Sequence, residues 1–432
     1  MGYKKLLYIL LSTSLIANVE EYISQINGEL SNDKFLEAIG LFDKALLKYD
    51  ASAKLYYVGA QIKIKLDDLD QANKYFVKAI ELDPNNQIFR NSLDSLTELK
   101  RELTAAKKSY DNGLIDDAII EYKKLTIKYS KNARVFYELG HLHRGIDELD
   151  EAVQYFQKAK SLNPIENKYA KAIISISQRI AKKGDEEYRL QEFDDAIENY
   201  KNAIAYYPEY IAAFFKLART YYKLKDFENA RIILEQGLSV DPKQEQSEKM
   251  LGDIYRRSYD IEKAIGHYNQ AILINGNYYQ AFYSLGSLYL LEGRLNEARE
   301  ALNKAILIEP TYSNAYGTLG TIEQELGNVE VAIKNYSRAV EFDTKAYDIY
   351  YRLSGVYNIK KQYKNAKISA KKSLSIKQNY APAFYELGLA EMNLCNVIAA
   401  KDALEKAKKD RNFRKEANTY LKNIDYYTKD CN

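Results

Sequence analysis

Residues 279–312 read YQAFYSLGSLYLLEGRLNEAREALNKAILIEPTY, and they contain one complete copy of a pattern that recurs along the chain. Apolar residues recur at helical spacing on both sides of Gly293, which predicts two amphipathic helices joined by a turn at that glycine. Pro310 predicts the end of the second helix, because proline removes a backbone donor and cannot continue a helix. The stretch therefore predicts one antiparallel pair of helices.

The same pattern returns at one fixed interval along most of the chain. One column of this repeat holds alanine at Ala196, Ala230, Ala264, Ala298, Ala332, Ala366 and Ala400, with equal spacing throughout. A second small residue follows each of these alanines by seven positions, and a third, usually glycine, precedes each by twelve. Helices that cross closely need small side chains at the crossing, so the columns predict tightly packed pairs. A generic helical bundle would not need small residues at one fixed interval.

The pattern resembles the tetratricopeptide repeat family, whose signature combines this period with columns of aromatic, Leu-Gly, Tyr, Ala and Pro residues. Within residues 279–312 the matching residues are Phe282, Leu285, Gly286, Tyr289, Ala298, Ala305 and Pro310. The resemblance implies an all-α fold, a right-handed superhelical α-solenoid of about eleven helix-turn-helix units with a C-terminal capping helix.

Interruptions of the rhythm predict how the array is divided. Extra residues that keep helical apolar spacing open the third and fifth units, and they predict lengthened first helices. We therefore expect an N-terminal segment 1–18, units 1–2 over 19–86, units 3–4 over 87–166, units 5–11 over 167–414, and a capping helix and tail over 415–432.

The N-terminus has the order of a secretory signal. Lys4 and Lys5 precede an apolar stretch from Leu6 to Ile16, and the small residue Ala17 follows. This pattern favours an exported, periplasmic or membrane-anchored protein, with membrane association through the N-terminus only. The alternative is a cytoplasmic protein in which the same residues form a first amphipathic helix that caps the array.

Composition and motifs disfavour several classes of function. A net charge of +3 over 432 residues is too balanced for a dedicated nucleic-acid binder, and no Gly-Lys step is present for a phosphate loop. The three histidines are too scattered to indicate a metal site. The two cysteines lack a Cys-x-x-Cys spacing, and we expect Cys395 to be a packed thiol near a turn. We therefore expect no enzyme activity, no cofactor and no metal.

The resemblance also indicates where a partner would bind. Family members typically bind peptides on a concave face formed by the first helices, and position five of each first helix faces that groove. Six of these positions are aromatic and one is lysine, and basic residues cluster nearby on two adjacent first helices. The candidate groove residues are Tyr57, Tyr137, Phe215, Arg219, Lys249, Arg256, Tyr283, Tyr351 and Tyr385. An alternative role for these rings is packing against the next unit.

Three functions follow as hypotheses. The first is a non-enzymatic scaffold or adaptor, in the cell envelope, that binds a peptide or protein segment in its concave groove. The second is a structural assembly subunit that docks through its ends or its convex face. The third is an accessory subunit of an enzyme complex. Each requires a protein partner, and none requires nucleic acid.

Overall fold

The computed structural model describes residues 18–32, 34–427 and 429. Every regular element among these residues is a helix, and the chain divides into two compact units, one up to Lys216 and one from Leu217. Consecutive helices pair antiparallel along each unit. The all-α repeat solenoid predicted from the sequence is confirmed.

The first unit contains ten helices within its described residues. They are α1 (residues 18–31), α2 (Phe35–Lys48), α3 (Ala53–Lys65), α4 (Leu69–Leu82), α5 (Gln87–Asp111), α6 (Ile115–Lys128), α7 (Ala133–Gly145), α8 (Leu149–Leu162), α9 (Asn167–Leu190) and α10 (Phe193–Tyr206). The next helix along the chain, α11 (Ile211–Lys223), contains the boundary between the units.

In the second unit the first helix of each pair has 13 residues and the second has 14, except in the last pair, whose second helix has 11. Its helices are α12 (Phe227–Val240), α13 (Glu245–Arg257), α14 (Ile261–Ile274), α15 (Tyr279–Leu291), α16 (Leu295–Ile308), α17 (Ser313–Glu325), α18 (Val329–Phe342), α19 (Tyr347–Ile359), α20 (Tyr363–Ile376), α21 (Ala381–Asn393), α22 (Val397–Ala407), α23 (Arg414–Lys422) and α24 (Ile424–Tyr427).

From the turn between α3 and α4 onward, each turn between the two helices of a repeat contains one residue in the left-handed region. Gly293 and Gly327 have φ values of 72° and 78°, which glycine adopts without steric cost. At the equivalent position of the following repeat Lys361 has a φ of 62°. The left-handed residue ends the first helix and reverses the direction of the chain. The connection to the second helix is therefore short.

The small columns lie where the two helices of a repeat cross. Ala264 and Ala271 on α14 are fully buried, and Gly252 on α13 lies against the ring of Tyr268. A Cβ atom built on Gly252 would lie 2.5 Å from a Tyr268 ring carbon. Glycine is therefore required at this crossing because the tyrosine ring occupies the space that any side chain would need.

Two long helices start at the predicted interruptions. Helix α5 has 25 residues and α9 has 24, and each is a single continuous helix. Their first residues, Gln87 and Asn167, coincide with two of the predicted segment boundaries. The division of the array into three segments stays a prediction, and the boundary between the compact units at Lys216 was not predicted.

A trio of aromatic rings joins each long helix to the repeat before it. Rings of the first helix, the second helix and the following long helix pack together in both places. The trios are Tyr57, Phe76 and Phe89, with ring centroids 5.7 and 4.8 Å from Tyr57, and Tyr137, Phe156 and Tyr169, with centroids 5.5 and 5.1 Å from Tyr137.

The C-terminal end is closed by two short helices instead of the single capping helix that we predicted. Ala417 on α23 and Ile424 on α24 are buried against the last repeat. The predicted signal or anchor falls on residues that, except for Asn18, lie outside the described part of the chain. Within that described part, no helix is both long enough and apolar enough to span a bilayer.

Candidate functional site

The residues predicted to face the groove lie on the first helices and are all partly buried. In the second unit α13 contacts α15, α15 contacts α17, and α19 contacts α21. The first helices therefore form a common face, and the position-five side chains project from it. We call this surface the first-helix face of the second unit.

Most position-five rings also pack at the junction with the following repeat. Five of the six rings in this column have an aromatic neighbour at that junction or at the C-terminal cap, with centroids 4.8–5.4 Å apart. The pairs are Tyr57 with Phe89 (4.8 Å), Tyr137 with Tyr169 (5.1 Å), Tyr283 with Tyr312 (5.1 Å), Tyr351 with Tyr380 (5.3 Å) and Tyr385 with Phe413 (5.4 Å). The column thus stabilises the junctions between repeats, and only the remaining area is available for a partner.

Two junctions of the second unit carry a cluster of three tyrosines. The rings of Tyr279 and Tyr283 both pack edge-on against Tyr312, with centroid distances of 4.9 and 5.1 Å. An equivalent cluster lies two repeats later. It consists of Tyr347, Tyr351 and Tyr380, with centroid distances of 4.9 and 5.3 Å to Tyr380.

The junction between these two clusters lacks all three rings. Ser313, Gly317 and Ala346 occupy the equivalent positions. A cleft of about 480 Å³ lies there, between α15, α17 and the start of α19. Part of the missing volume is taken by Ile349, whose Cδ1 atom would lie 2.7 Å from a Cβ atom on Gly317. The rest is open, and its size is in the range of ligand-binding pockets.

The cleft has two aromatic walls and several polar groups. Tyr283 and Tyr347, one from each flanking cluster, line it together with Asn314, Thr318 and Arg352. Arg352 is partly buried and forms no ion pair with any carboxylate of the described residues. This guanidinium faces a cleft without a carboxylate partner, which is an arrangement suited to binding an acidic group.

Arg352 on α19 also affects the pKa of Tyr336, a buried tyrosine on the preceding helix α18. Burial raises the pKa of the Tyr336 hydroxyl, and the positive charge of Arg352 acts in the opposite direction. The Tyr336 hydroxyl donates to Gln324 Oε1 at 3.0 Å and lies 3.2 Å from Thr321 Oγ1. This network joins α18 to α17, the two helices of the repeat, and includes Thr321, which also lines the cleft.

The predicted basic residues are less available than the sequence suggested. Lys249 Nζ lies 2.7 Å from Asp253 Oδ2, and Tyr268 donates its hydroxyl to the other oxygen of Asp253 at 2.8 Å. Lys249 is therefore engaged within its own helix. Arg256 lies two turns later on α13 and opposes the effect of burial, which raises the pKa of Tyr268. Phe215 and Arg219 are partly buried on α11.

His267 and Cys395, whose side chains could act as metal ligands or nucleophiles, are both engaged in structural contacts. His267 Nδ1 lies 2.7 Å from Glu248 Oε2, and its ring stacks on Tyr255. Within the described residues, no group of three or more His, Cys, Asp or Glu could hold a metal ion. Cys395 is exposed in the turn before α22 and is disulfide-bonded, so the prediction of a packed thiol is wrong.

The residues of the cleft were missed at the sequence level. The position-five column by itself shows Gly317 only as one of its smaller residues. Reading position five together with the last residue of the repeat would have revealed the gap. Every other junction from residue 177 to 414 has an aromatic residue in at least one of the two columns, whereas this one pairs Gly317 with Ala346.

Three solved structures of similar proteins each match less than half of this chain. MamA is 28% identical over 38% of this chain and 95% of its own, with a TM-score of 0.35. PilF from Pseudomonas aeruginosa is 14% identical over 46% of this chain and 90% of its own, with a TM-score of 0.43. YrrB, described as a TPR protein with an unusual peptide-binding site, is 18% identical over 43% of this chain and 95% of its own, with a TM-score of 0.36.

Models of one family match the chain at six places. Tetratricopeptide repeat models match residues 53–86, 133–166, 188–254, 279–312, 313–345 and 347–380, which together make up more than half of the chain. These matches fall on the helix pairs described above, and the chain therefore belongs to the tetratricopeptide repeat family.

Proposed function

We propose that the chain is a non-enzymatic scaffold that binds an extended segment of a protein partner on the first-helix face of its second unit. Tetratricopeptide repeat proteins generally mediate protein–protein interactions and are generally not catalytic. The observation that carries the proposal is the 480 Å³ cleft on this face, between Tyr283 and Tyr347.

The physical properties of the face support this role. Tyrosines offer rigid contact area and a hydroxyl at low entropic cost, and these rings are already held in place by aromatic neighbours at the repeat junctions. A surface that is ordered before binding loses little conformational entropy when the partner arrives. Many modest contacts on such a surface can therefore add up to useful affinity.

Site-specific photo-crosslinking tests the proposal. We place p-benzoyl-phenylalanine at Thr318, which lines the cleft, and at Leu307 on α16, which is 74% exposed. The labelled full-length chains are then irradiated in an extract of the source cells. We expect crosslinked protein adducts from position 318 and few from position 307. Adducts only at position 307 would contradict binding at the first-helix face.

The predicted basic residues give a second, independent test. Arg219→Glu combined with Lys249→Glu reverses two charges near one end of the face, and we expect it to weaken partner capture without unfolding the array. Lys249 already pairs with Asp253, so reversing its charge also breaks an ion pair within α13. Unchanged capture by the double variant would exclude these residues from the binding surface.

Assembly through the second helices is the alternative function. Leu273 on α14 and Leu307 on α16 are 78% and 74% exposed and lie one repeat apart. Neighbouring exposed leucines favour association between proteins. Sedimentation of the purified chain separates the two functions, since growth of the sedimentation coefficient with concentration supports assembly and a constant monomer value supports the scaffold.

We also propose that the protein is exported. The signal-like order of Lys4, Lys5 and the apolar stretch before Ala17 supports export. The disulfide of Cys395 adds support, because disulfides persist mainly in oxidising compartments. N-terminal sequencing of the protein from its source tests this: a mature N-terminus at Asn18 supports cleavage after export, an intact N-terminus on protein from the membrane fraction supports an anchor, and an intact N-terminus on protein from the cytoplasmic fraction contradicts export.

A further inference from the structure

We infer that the cleft between α17 and α19 binds an aromatic side chain of the partner segment together with one neighbouring carboxylate. This inference rests on the proposed function and adds the chemistry that the partner must present. It starts from one observation. A three-tyrosine cluster occurs on either side of this junction, and the junction itself has Ser313, Gly317 and Ala346 in the three ring positions.

An aromatic ring is the group that the cleft fits. Its walls are the rings of Tyr283 and Tyr347, and its floor is formed by Gly317 and the end of Ile349. Aromatic rings prefer edge-to-face contacts with centroids about 4.5–7 Å apart, and the flanking clusters already use this geometry. A ring from the partner would therefore repeat the contacts that the chain makes with its own tyrosines at the neighbouring junctions.

The charges around the cleft favour one carboxylate beside the ring. Arg352 lines the cleft, is partly buried and forms no ion pair with a described carboxylate. A guanidinium in this position can bind a carboxylate through two parallel hydrogen bonds. Asp343, Lys345 and Asp348 also line the cleft and are exposed, so its charges balance and a run of several acidic residues gains no net attraction. The fitting motif is thus one aromatic residue with a single Asp or Glu next to it.

The geometry of the turn provides a variant that fills the cleft without disturbing the fold. Ala346 and Tyr312 occupy the same position of successive repeats, have φ values of −72° and −74°, and donate their backbone N–H to equivalent carbonyls. Ala346→Tyr therefore adds a ring that the same turn accepts one repeat earlier. Gln244→Tyr places a tyrosine at the same repeat position three repeats earlier, outside the cleft and on a turn whose φ is −117°, and it serves as the control for an added ring.

Selection from a library of random dodecapeptides displayed on phage tests the inference with the full chain. We expect the native chain to enrich peptides with an aromatic residue next to a single Asp or Glu. Synthetic copies of these peptides should bind Ala346→Tyr at least tenfold more weakly than the native chain and bind Gln244→Tyr equally well. Arg352→Gln should remove the preference for the acidic residue while the aromatic preference remains.

Other outcomes would overturn the inference in distinguishable ways. Enriched peptides without an aromatic preference, or with affinity unchanged by Ala346→Tyr, would show that the cleft does not bind a ring, and the proposed scaffold function would survive. Failure of the library to enrich any peptide, together with no adducts from Thr318 in the crosslinking experiment, would overturn both. Thermal unfolding of Ala346→Tyr within a few degrees of the native chain confirms that its loss of binding is local.

Discussion

The contact between Gly252 and Tyr268 gives the sharpest test of how the repeats pack. Gly252→Ala would place a Cβ atom 2.5 Å from one carbon of the Tyr268 ring and 2.6 Å from another, closer than real Cβ atoms approach their neighbours. The ring is fully buried, and its hydroxyl is tied to Asp253 at 2.8 Å. The ring cannot move aside without losing that hydrogen bond.

The expected magnitude follows from three contributions. Inserting a methyl group into a filled core costs about 1–3 kcal/mol. Weakening the Tyr268 hydrogen bond costs about 1 kcal/mol, and the better helix propensity of alanine returns about 1 kcal/mol. The last two nearly cancel. We therefore expect Gly252→Ala to lower the free energy of unfolding by about 1–3 kcal/mol, and the unfolding temperature by several degrees.

A second glycine in the same helix pair provides the control. Gly266 lies on the exposed side of α14, and a Cβ atom there would meet no heavy atom within 4 Å. Gly266→Ala should gain helix propensity without any clash and stabilise the chain by roughly 0.5–1 kcal/mol. Urea unfolding followed by circular dichroism at 222 nm compares both variants with the native chain. If Gly252→Ala resists urea as well as Gly266→Ala does, the steric reasoning for the glycine column is refuted.

Three further predictions concern a turn, a titrating carboxyl and a buried hydrogen-bond network. Lys361 adopts a φ of 62°, so Lys361→Gly should raise the unfolding temperature through relief of about 1 kcal/mol of backbone strain, whereas Gly327→Ala at the equivalent turn should lower it. Burial raises the pKa of the Glu386 carboxyl from 4.5 to about 7. The native chain should therefore lose stability as the pH rises from 4.5 through 7, because the unfolded chain releases its proton first. Glu386→Gln, which keeps an acceptor for Asn358 Nδ2, should show a smaller loss of unfolding temperature between pH 5 and pH 8, and an equal loss would argue against this titration. Asp253→Ala removes the acceptor of the buried Tyr268 hydroxyl and should cost about 1–3 kcal/mol in urea unfolding; no loss would show that the hydroxyl finds another partner.

The fold was predictable because its steric requirement repeats. Each crossing needs the same small residues, so alanines such as Ala264 and Ala298 recur at a fixed interval and are fully buried. A single repeat would not have identified the fold, whereas seven repeats with equal spacing did. The boundary between the compact units at Lys216 cannot be recognised in the sequence, because the spacing of the alanine column is unchanged from Ala196 to Ala230 across it.

The candidate site was predictable only in part. A position-five tyrosine such as Tyr351 both projects from the first-helix face and packs on Tyr380, and a single column cannot separate these roles. The engagement of Lys249 was visible in principle, because Asp253 follows it by one helical turn. The cleft arises from the absence of three rings, two of them one helical turn apart at Ser313 and Gly317 and the third at Ala346. An absent side chain gives no signal until the neighbouring repeats are known to fill the same positions.

The ring trios at the start of α5 and α9 have a consequence for how the first unit was built. The offset from Tyr57 to Tyr137 recurs unchanged from Phe76 to Phe156 and from Phe89 to Tyr169. The first unit therefore repeats as a block of two helix pairs with its elongated helix. The second unit repeats one helix pair at a time, so two different periods occur in one polypeptide.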